Sequence, residues 1–277
     1  MDVYSRVYVE ITNICNLRCS FCHGHSRTPA QMSREDFCVV LSRLEGQTRY
    51  LYYHLMGEPL LHPLLPEFLQ MAAEKGFRSV ITTNGTLLEK RGEAVLAAGV
   101  HKVSVSLHSF EAGQEDVHRN YLEQVCAFGE KAQKAGTILS MRLWNRGADG
   151  GRNDFTEAFL RQRLPGDWAE NTRGYRIRDK VFLEYGDRFG WPDMENPEQS
   201  GKVNCYGMQD HFGILSDGTV VPCCLDSQGS ISLGNVFRQP LEEILTADRA
   251  ENIRKGLAEG IAPEDLCRRC PYAAKEK

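Results

Sequence analysis

Apolar and polar positions along the first two thirds of the chain follow two different periods. Short runs with apolar residues at every second position predict strands, and longer stretches with apolar residues three and four positions apart predict helices. The strands are predicted at Val7–Thr12, Arg49–Leu55, Arg78–Thr83, Lys102–Leu107, Thr137–Trp144 and Tyr175–Leu183. The helices are predicted between them, after Ser33 as a cap, between Pro66 and Gly76, and over Leu88–Ala98, Tyr121–Ala135 and Asp154–Leu164. This alternation predicts an α/β fold with a mainly parallel sheet.

The fourth and fifth predicted strands each carry one apolar and one polar face, because side chains alternate along a strand. The apolar sets are Val103, Val105 and Leu107, then Leu139, Met141 and Leu143; the polar sets are Ser104, Ser106 and His108, then Ser140, Arg142 and Trp144. We expect the apolar face to pack under helices and the polar face to line a cavity. An ordinary half-exposed strand is the alternative.

Composition narrows the class of protein. The chain has 277 residues, enough for one large domain and a smaller one, and its 42% apolar content is typical of a folded protein. A net charge of −4 gives no reason to expect nucleic acid as a partner. We find neither a secretory signal nor an apolar run of membrane-spanning length, so we expect a cytoplasmic protein without a membrane partner.

A stretch rich in Gly, Pro, Asp and Asn, Gly186–Lys202, reads as a linker. We therefore predict two domains, residues 1–190 and 191–277.

The number and the grouping of the cysteines indicate metal binding. In a reducing compartment, ten cysteines favour metal ligation over disulfides. Eight of the ten form two groups, one at Cys15–Cys22 and one at Cys205–Cys270. Cys38 and Cys126 lie in helix-like runs, where we expect them to be structural.

The first group has the spacing C-x3-C-x2-C, formed by Cys15, Cys19 and Cys22. Three thiolates in one short loop can hold three irons of a 4Fe–4S cluster and leave the fourth iron open to a ligand. A zinc site with His23 or His25 as the fourth ligand is the alternative.

This loop, with the aromatic Phe21 before its last cysteine, resembles the radical S-adenosylmethionine (radical SAM) superfamily. The resemblance implies a partial (β/α)6 TIM-type barrel, to which a doubly wound open sheet is the alternative, and S-adenosylmethionine (SAM) bound at the open iron. It also implies cofactor contacts from the Gly57-Glu58-Pro59 motif after the second strand, from Thr83 and Asn84 at the end of the third, and from Phe21 near the adenine. A simple turn at Gly57 is the alternative. Ser106 is the candidate for the ribose or methionine, and Arg142 for the methionine carboxylate, since guanidinium binds carboxylate bidentately.

The second group follows the linker. Asp217-Gly218 predicts a hairpin between Ile214-Leu215 and Thr219–Val221, and Leu241–Leu257 predicts a helix. The segment Gly218–Cys223 resembles the start of SPASM and Twitch extensions, which implies a small auxiliary domain of hairpin and helix.

The resemblance implies one auxiliary 4Fe–4S cluster held by Cys205, Cys223, Cys267 and Cys270. Cys224 competes with Cys223, because adjacent side chains in a strand point to opposite sides and only one of the two should bind. A four-cysteine zinc site is again the alternative.

The implied activity is reductive cleavage of SAM to a 5′-deoxyadenosyl radical that abstracts a hydrogen from the substrate. Modification of a peptide or protein side chain is the first hypothesis, and oxidation of a small polyol or amino-sugar is the second. A non-catalytic iron–sulfur electron carrier is the third. We expect an electron donor such as flavodoxin or ferredoxin, and we assign no catalytic residue.

Overall fold

The computed structural model describes residues 4–111, 113–199 and 202–274. Its strands are β1 (Arg6–Val9), β2 (Tyr50–Tyr53), β3 (Arg78–Thr83), β4 (Lys102–Ser106), β5 (Ile138–Arg146), β6 (Ala169–Asn171), β7 (Gly174–Arg178), β8 (Val181–Asp187), β9 (His211–Ile214), β10 (Thr219–Val221) and β11 (Gly234–Asn235). Its helices are α1 (Arg34–Leu44), α2 (Leu65–Glu74), α3 (Leu88–Ala97), α4 (Glu115–Lys134), α5 (Arg152–Arg163), α6 (Leu241–Thr246), α7 (Asp248–Ala258) and α8 (Asp265–Arg268).

Eleven strands of the described chain form one open sheet in the order β11–β10–β9–β1–β2–β3–β4–β5–β8–β7–β6. From β9 to β8 the neighbouring strands are parallel, and short antiparallel strands follow at both ends. Helices connect the parallel strands, as the alternating pattern predicts. The prediction of an α/β fold with a partial, unclosed barrel is confirmed.

The helices bury the apolar stripes that their sequence period places on one face. Ser33 caps α1 by accepting a hydrogen bond from the backbone N–H of Asp36, and the ring of Phe37 stacks on that of Phe68 from α2, with centroids 4.1 Å apart. Val103 and Met141, on the apolar face of β4 and β5, are fully buried. The predicted apolar face is therefore the layer that packs under the helices.

The sixth predicted strand, Tyr175–Leu183, is wrong as a single strand. The chain reverses at Asp179-Lys180, where Lys180 has a φ of 59°, and the arms β7 and β8 pair antiparallel. Only β8 continues the parallel sheet, next to β5. The turn has no Asn-Gly or Asp-Gly signal, so the apolar alternation runs on through it.

Two helix predictions also change. The predicted helix Leu241–Leu257 is two helices, because Ala247 is extended between α6 and α7. The Arg254 guanidinium donates a hydrogen bond to the carbonyl of Leu245 at 3.0 Å, which satisfies a group freed at the break. Helix α4 begins at Glu115, six residues before the predicted start at Tyr121.

The C-terminal region joins the sheet of the first region. Strand β9 pairs with β1 in parallel, with Val7 opposite Phe212. The sheet thus crosses the predicted boundary between residues 190 and 191, and the division into two domains stays a prediction. No helix within the described ranges is long and apolar enough to span a lipid bilayer.

Candidate functional site

The first cysteine group lies in the loop between β1 and α1, at the carboxyl ends of the parallel strands. The N–H of Cys22 donates to the carbonyl of Cys19 at 3.1 Å, which closes a tight turn between these two cysteines. Burial and then the neighbouring Cys22 thiol raise the pKa of Cys19 to about 11. Burial also raises the pKa of Cys15. The structure therefore brings the three predicted ligands together.

Each imidazole that the zinc alternative needs has a partner at one nitrogen, and Nδ1 of His25 has no hydrogen-bond partner among the described residues. Nε2 of His25 lies 2.9 Å from the carbonyl oxygen of Asn13, and Nε2 of His23 lies 3.3 Å from the carboxylate of Asp193. No three metal-binding side chains of the described residues converge closely enough to hold a single ion. The three thiols fit the separate irons of a cluster.

Gly57 is required at its position. It has a φ of +79°, and a Cβ there would lie 2.3 Å from the backbone oxygen of Thr12 and 2.9 Å from Asn13 Cα. The loop after β2 is therefore in direct contact with the backbone segment that precedes the cysteine loop. Glycine permits both this φ and this approach.

Glu58 fastens the cysteine loop to the end of β3. Its N–H donates to the carbonyl of Ile14 at 2.9 Å. Its carboxylate accepts hydrogen bonds from Leu60 N at 3.0 Å, Thr83 Oγ1 at 2.7 Å and Asn84 N at 2.8 Å. Burial raises the pKa of this carboxyl, and the three donors oppose the rise. The hydrogen bonds of the Glu58 and Thr83 side chains are thus made to other residues of the protein.

Asn84 reaches the cysteine loop from β3. Its Nδ2 donates to Asn16 Oδ1 at 3.0 Å and lies 3.9 Å from the sulfur of Cys15. Its carbonyl accepts a hydrogen bond from the Tyr121 hydroxyl at 2.8 Å. Of the predicted residues of the third strand, Asn84 is the one whose side chain contacts a predicted cysteine ligand.

The polar face of the sheet forms a charged interior. Ser106, Arg142 and Glu184 lie in one row across β4, β5 and β8. Nε of Arg142 lies 3.8 Å from the Glu184 carboxylate, and Nζ of Lys102 lies 3.7 Å from the other oxygen of Glu184. Burial lowers the pKa of Arg142. The guanidinium also lies over the Trp144 ring, 4.7 Å from its centroid.

The interior also contains polar atoms with no hydrogen-bond partner in the part of the chain that is described. They are the hydroxyls of Thr82, Ser104 and Ser140, Nδ1 of His54 and Nε of Arg142. Burial is the main cause that lowers the pKa of His54 to about 3. Buried polar groups normally have partners, so these atoms fit a polar ligand or ordered water within the barrel.

Sequence reasoning missed Glu184 and Lys102 as interior residues. Glu184 stands between Leu183 and Tyr185, so side-chain alternation along a strand would place it on the opposite face from both. The predicted sixth strand ends at Leu183 and therefore does not include Glu184. The predicted polar face does turn inward, but its serines are buried rather than open to a wide cavity.

Phe21 lies at the edge of a cavity of about 450 Å³. Its ring centroid is 4.8 Å from that of His108, and Trp144, Asp149 and Arg152 line the same cavity. Several of the lining residues are exposed, so the cavity opens to the surface beside the cysteine loop.

The second group brings Cys205, Cys223, Cys267 and Cys270 together. Burial, and then the Cys205 and Cys270 thiols, raise the pKa of Cys267 to about 12. Burial, and then the neighbouring Cys224 thiol ahead of those of Cys205 and Cys267, raise the pKa of Cys223. Four thiols are the number that one fully ligated 4Fe–4S cluster needs, so the predicted ligand set fits such a cluster.

Cys224 also lies close to this group, but its side chain packs against the cluster that contains Tyr8 of β1. Burial raises the pKa of Cys224 to about 11. It packs against a small apolar cluster that includes Leu55 and Leu215. The adjacent cysteines thus have different surroundings.

Two family models match the chain. Residues 9–143 match a model described as the radical SAM superfamily, and residues 205–271 match SPASM, described as an iron-sulfur cluster-binding domain.

Related proteins match over different lengths. The GTP 3',8-cyclase of Chlorobaculum tepidum is 36% identical over 161 residues, which cover 56% of this chain and 48% of that protein. This chain thus spans about half the length of such curated relatives. The S-adenosyl-L-methionine-dependent 2-deoxy-scyllo-inosamine dehydrogenase of Niallia circulans is 24% identical over 280 residues, 97% of this chain and 93% of that protein.

Among solved structures, the crystal structure of BtrN in complex with AdoMet and 2-DOIA has a TM-score of 0.64 at 21% identity, covering 100% of this chain and 98% of that chain. This likeness shows a shared fold.

Proposed function

We propose that this chain, which belongs to the radical SAM superfamily and carries a SPASM-type iron–sulfur domain, is an enzyme that oxidises a small polar alcohol. The observation that carries the proposal is the interior in which the hydroxyls of Thr82, Ser104 and Ser140 have no hydrogen-bond partner among the described residues, beside the Lys102–Glu184 ion pair. Such a surface suits a small substrate with several polar groups. The match to a dehydrogenase along nearly the whole length of both chains supports it.

When bound, the cluster and SAM supply a 5′-deoxyadenosyl radical that removes a hydrogen atom from the substrate. We assign Cys15, Cys19 and Cys22 to hold this cluster. Asn84 orients the loop through Asn16 and Cys15. Gly57 lets the backbone after β2 approach the methionine end of SAM, as the family motif implies.

Three further residues position SAM in this proposal. Arg142 binds the carboxylate, exchanging its 3.8 Å contact with Glu184 for a bidentate pair. Ser106, its neighbour on β4, contacts the ribose or methionine. Phe21 packs beside the adenine at the cavity edge.

Oxidation of an alcohol to a ketone then requires one more electron and one proton to leave the substrate radical. The second cysteine group lies where the C-terminal strands join β1. We assign Cys205, Cys223, Cys267 and Cys270 to the auxiliary cluster that accepts the electron. A protein such as flavodoxin or ferredoxin supplies the electron that starts each turnover.

Peptide side-chain modification is the second candidate. The cavity of about 450 Å³ beside Phe21 opens to the surface, where it would admit one side chain of a larger substrate. An electron carrier would need neither this cavity nor the Gly57 and Asn84 contacts.

The test is anaerobic reconstitution followed by incubation with SAM, dithionite and a panel of polyols, aminocyclitols and short peptides. Mass spectrometry measures 5′-deoxyadenosine and the loss of two hydrogens from the substrate. The control replaces Cys15, Cys19 and Cys22 by alanine and keeps the second group. We expect 5′-deoxyadenosine from the native protein alone, increased by an alcohol. Increase by peptides only would favour the second candidate, and no 5′-deoxyadenosine under any condition would refute both.

A further inference from the structure

The stretch that the sequence predicts to be a linker is bonded at both ends. We call residues 188–199, which follow β8, the strap. The strap contacts the first cysteine loop, around Phe21, and the last cysteine loop, around Arg269. Its ordered contacts differ from those of a flexible connection between domains.

Trp191 joins the strap to the first cysteine loop. Its Nε1 donates a hydrogen bond to the carbonyl of Phe21 at 2.9 Å. Its ring is stacked on His23, with centroids 6.0 Å apart and planes 20° apart. Phe21 and His23 are the two neighbours of Cys22 in the chain. Trp191 therefore contacts both neighbours of one proposed ligand, Phe21 through its backbone carbonyl and His23 through its ring.

Asn196 joins the strap to the last cysteine loop. Its Nδ2 donates to the carbonyl of Trp191 at 2.8 Å and to that of Arg269 at 3.1 Å. Arg269 in turn donates from Nη1 to the carbonyl of Asn196 at 2.6 Å. Arg269 stands directly before Cys270, as Phe21 stands directly before Cys22. The corresponding carbonyls of two C-x2-C segments are thus linked through Trp191 and Asn196.

Ring contacts follow the same path. Phe189 lies 5.3 Å from the Trp191 ring and 5.6 Å from the Tyr272 ring, measured between centroids. Tyr272 is two residues beyond Cys270. Packing therefore supports the hydrogen-bonded connection along the strap.

We propose that Trp191 and Asn196 are positioning residues that couple the two cysteine loops, so that the conformation of the auxiliary-cluster loop controls the affinity of the first cluster for SAM. The inference rests on the cluster assignments of the proposed function and is independent of the substrate. The physical reason is that SAM must meet the open iron in a fixed geometry. A loop held at Phe21 offers that geometry with less ordering on binding.

The test compares SAM affinity in loaded, anaerobic protein. Asn196→Ala removes the hydrogen bonds of Nδ2, and Trp191→Phe removes the Nε1 donor while it keeps an aromatic ring. Gln199→Ala is the matched control in the strap, because the Gln199 side chain bonds to Pro197 while its backbone N–H keeps the bond to Arg268. Equilibrium dialysis with labelled SAM gives the Kd, and iron and sulfide assays count the clusters.

We expect Asn196→Ala and Trp191→Phe each to raise the Kd for SAM by roughly three- to tenfold, the effect of about one hydrogen bond. Iron content should stay at the native value, and Gln199→Ala should bind SAM as the native protein does. Low-temperature EPR of the reduced first cluster should show a smaller change on adding SAM at a fixed concentration.

A double-mutant cycle separates coupling from a local defect. The variant Cys267→Ala/Cys270→Ala, which loses the auxiliary cluster, should also bind SAM more weakly, and adding Asn196→Ala should then have no further effect. Native affinity in both strap variants, or additive losses in the cycle, would overturn the coupling. Native protein that carries iron but neither binds nor cleaves SAM would instead overturn the proposed function, and the coupling with it.

Discussion

Replacing Gly57 by alanine tests the contact between the loop after β2 and the backbone before the cysteine loop. The new Cβ would lie 2.3 Å from the oxygen of Thr12, well inside van der Waals contact. Relief requires the segment Thr12–Asn13 to move, and the thiol of Cys15 follows two residues later. We therefore expect the first cluster to assemble poorly while the auxiliary cluster remains.

Gly99→Ala is a matched control for this change. Gly99 has a φ of +78°, nearly that of Gly57, but a Cβ there would have nothing within 4 Å. In both variants an alanine must adopt a positive φ, which lowers the free energy of unfolding by about 1 kcal/mol. Only Gly57→Ala adds the overpacking cost, about 1–3 kcal/mol.

The assay measures iron per chain, absorbance near 400 nm and the thermal midpoint of anaerobically reconstituted protein. We expect Gly57→Ala to hold roughly half the native iron, since one of two similar clusters is lost, and to produce no 5′-deoxyadenosine. Gly99→Ala should keep the native iron content with a slightly lower thermal midpoint. Equal iron in the two variants would refute the reasoning, because strain at positive φ alone would then explain both.

Three further predictions concern single side chains. Cys223→Ala should lose the auxiliary iron and Cys224→Ala should keep it, because the Cys224 side chain packs into the apolar cluster of Tyr8, Leu55 and Leu215; equal iron loss in the two variants would contradict the choice of Cys223 as the ligand. Arg142→Lys should raise the Kd for SAM by roughly tenfold, because lysine cannot form a bidentate pair; unchanged dialysis binding would remove Arg142 from the site. His54, with a pKa lowered from 6.5 to about 3, should stay neutral at pH 5 in carbon-13 NMR, and a midpoint near 6.5 would contradict its burial. Since the unfolded chain takes up that proton first, His54 should lower stability as pH falls below about 6.5, by at most about 1.4 kcal/mol per pH unit.

Local patterns in the sequence predict most of what positions the cysteines. Parallel strands follow from alternation with helices, and the helix after Ser33 has the predicted cap and buried stripe. The inward turn of Ser104 and Arg142 follows from their spacing along single strands. Each of these features depends on residues close together in the chain.

The missed features depend on contacts between distant segments. The chain reverses at Lys180 without the residues typical of a turn. The β7–β8 hairpin and the inward position of Glu184 could therefore not be predicted from the sequence. The strap looks like a linker because its Gly, Pro, Asp and Asn residues are common in loops. Its hydrogen bonds to Phe21 and Arg269 join residues that are 170 and 73 positions apart in the sequence. A pattern of neighbouring residues cannot predict contacts over such distances.

The pairing of β9 with β1 has a consequence for synthesis of the protein on the ribosome. One edge of β1 has its partner in β2, but the other has none until residues 211–214 leave the exit tunnel. Until then a nascent chain exposes an unpaired strand edge, a common starting point for aggregation. The buried carboxylate of Glu10 likewise gains its bond from Ser216 only at that stage. We therefore expect the N-terminal strand to reach its final packing only after translation has passed this point.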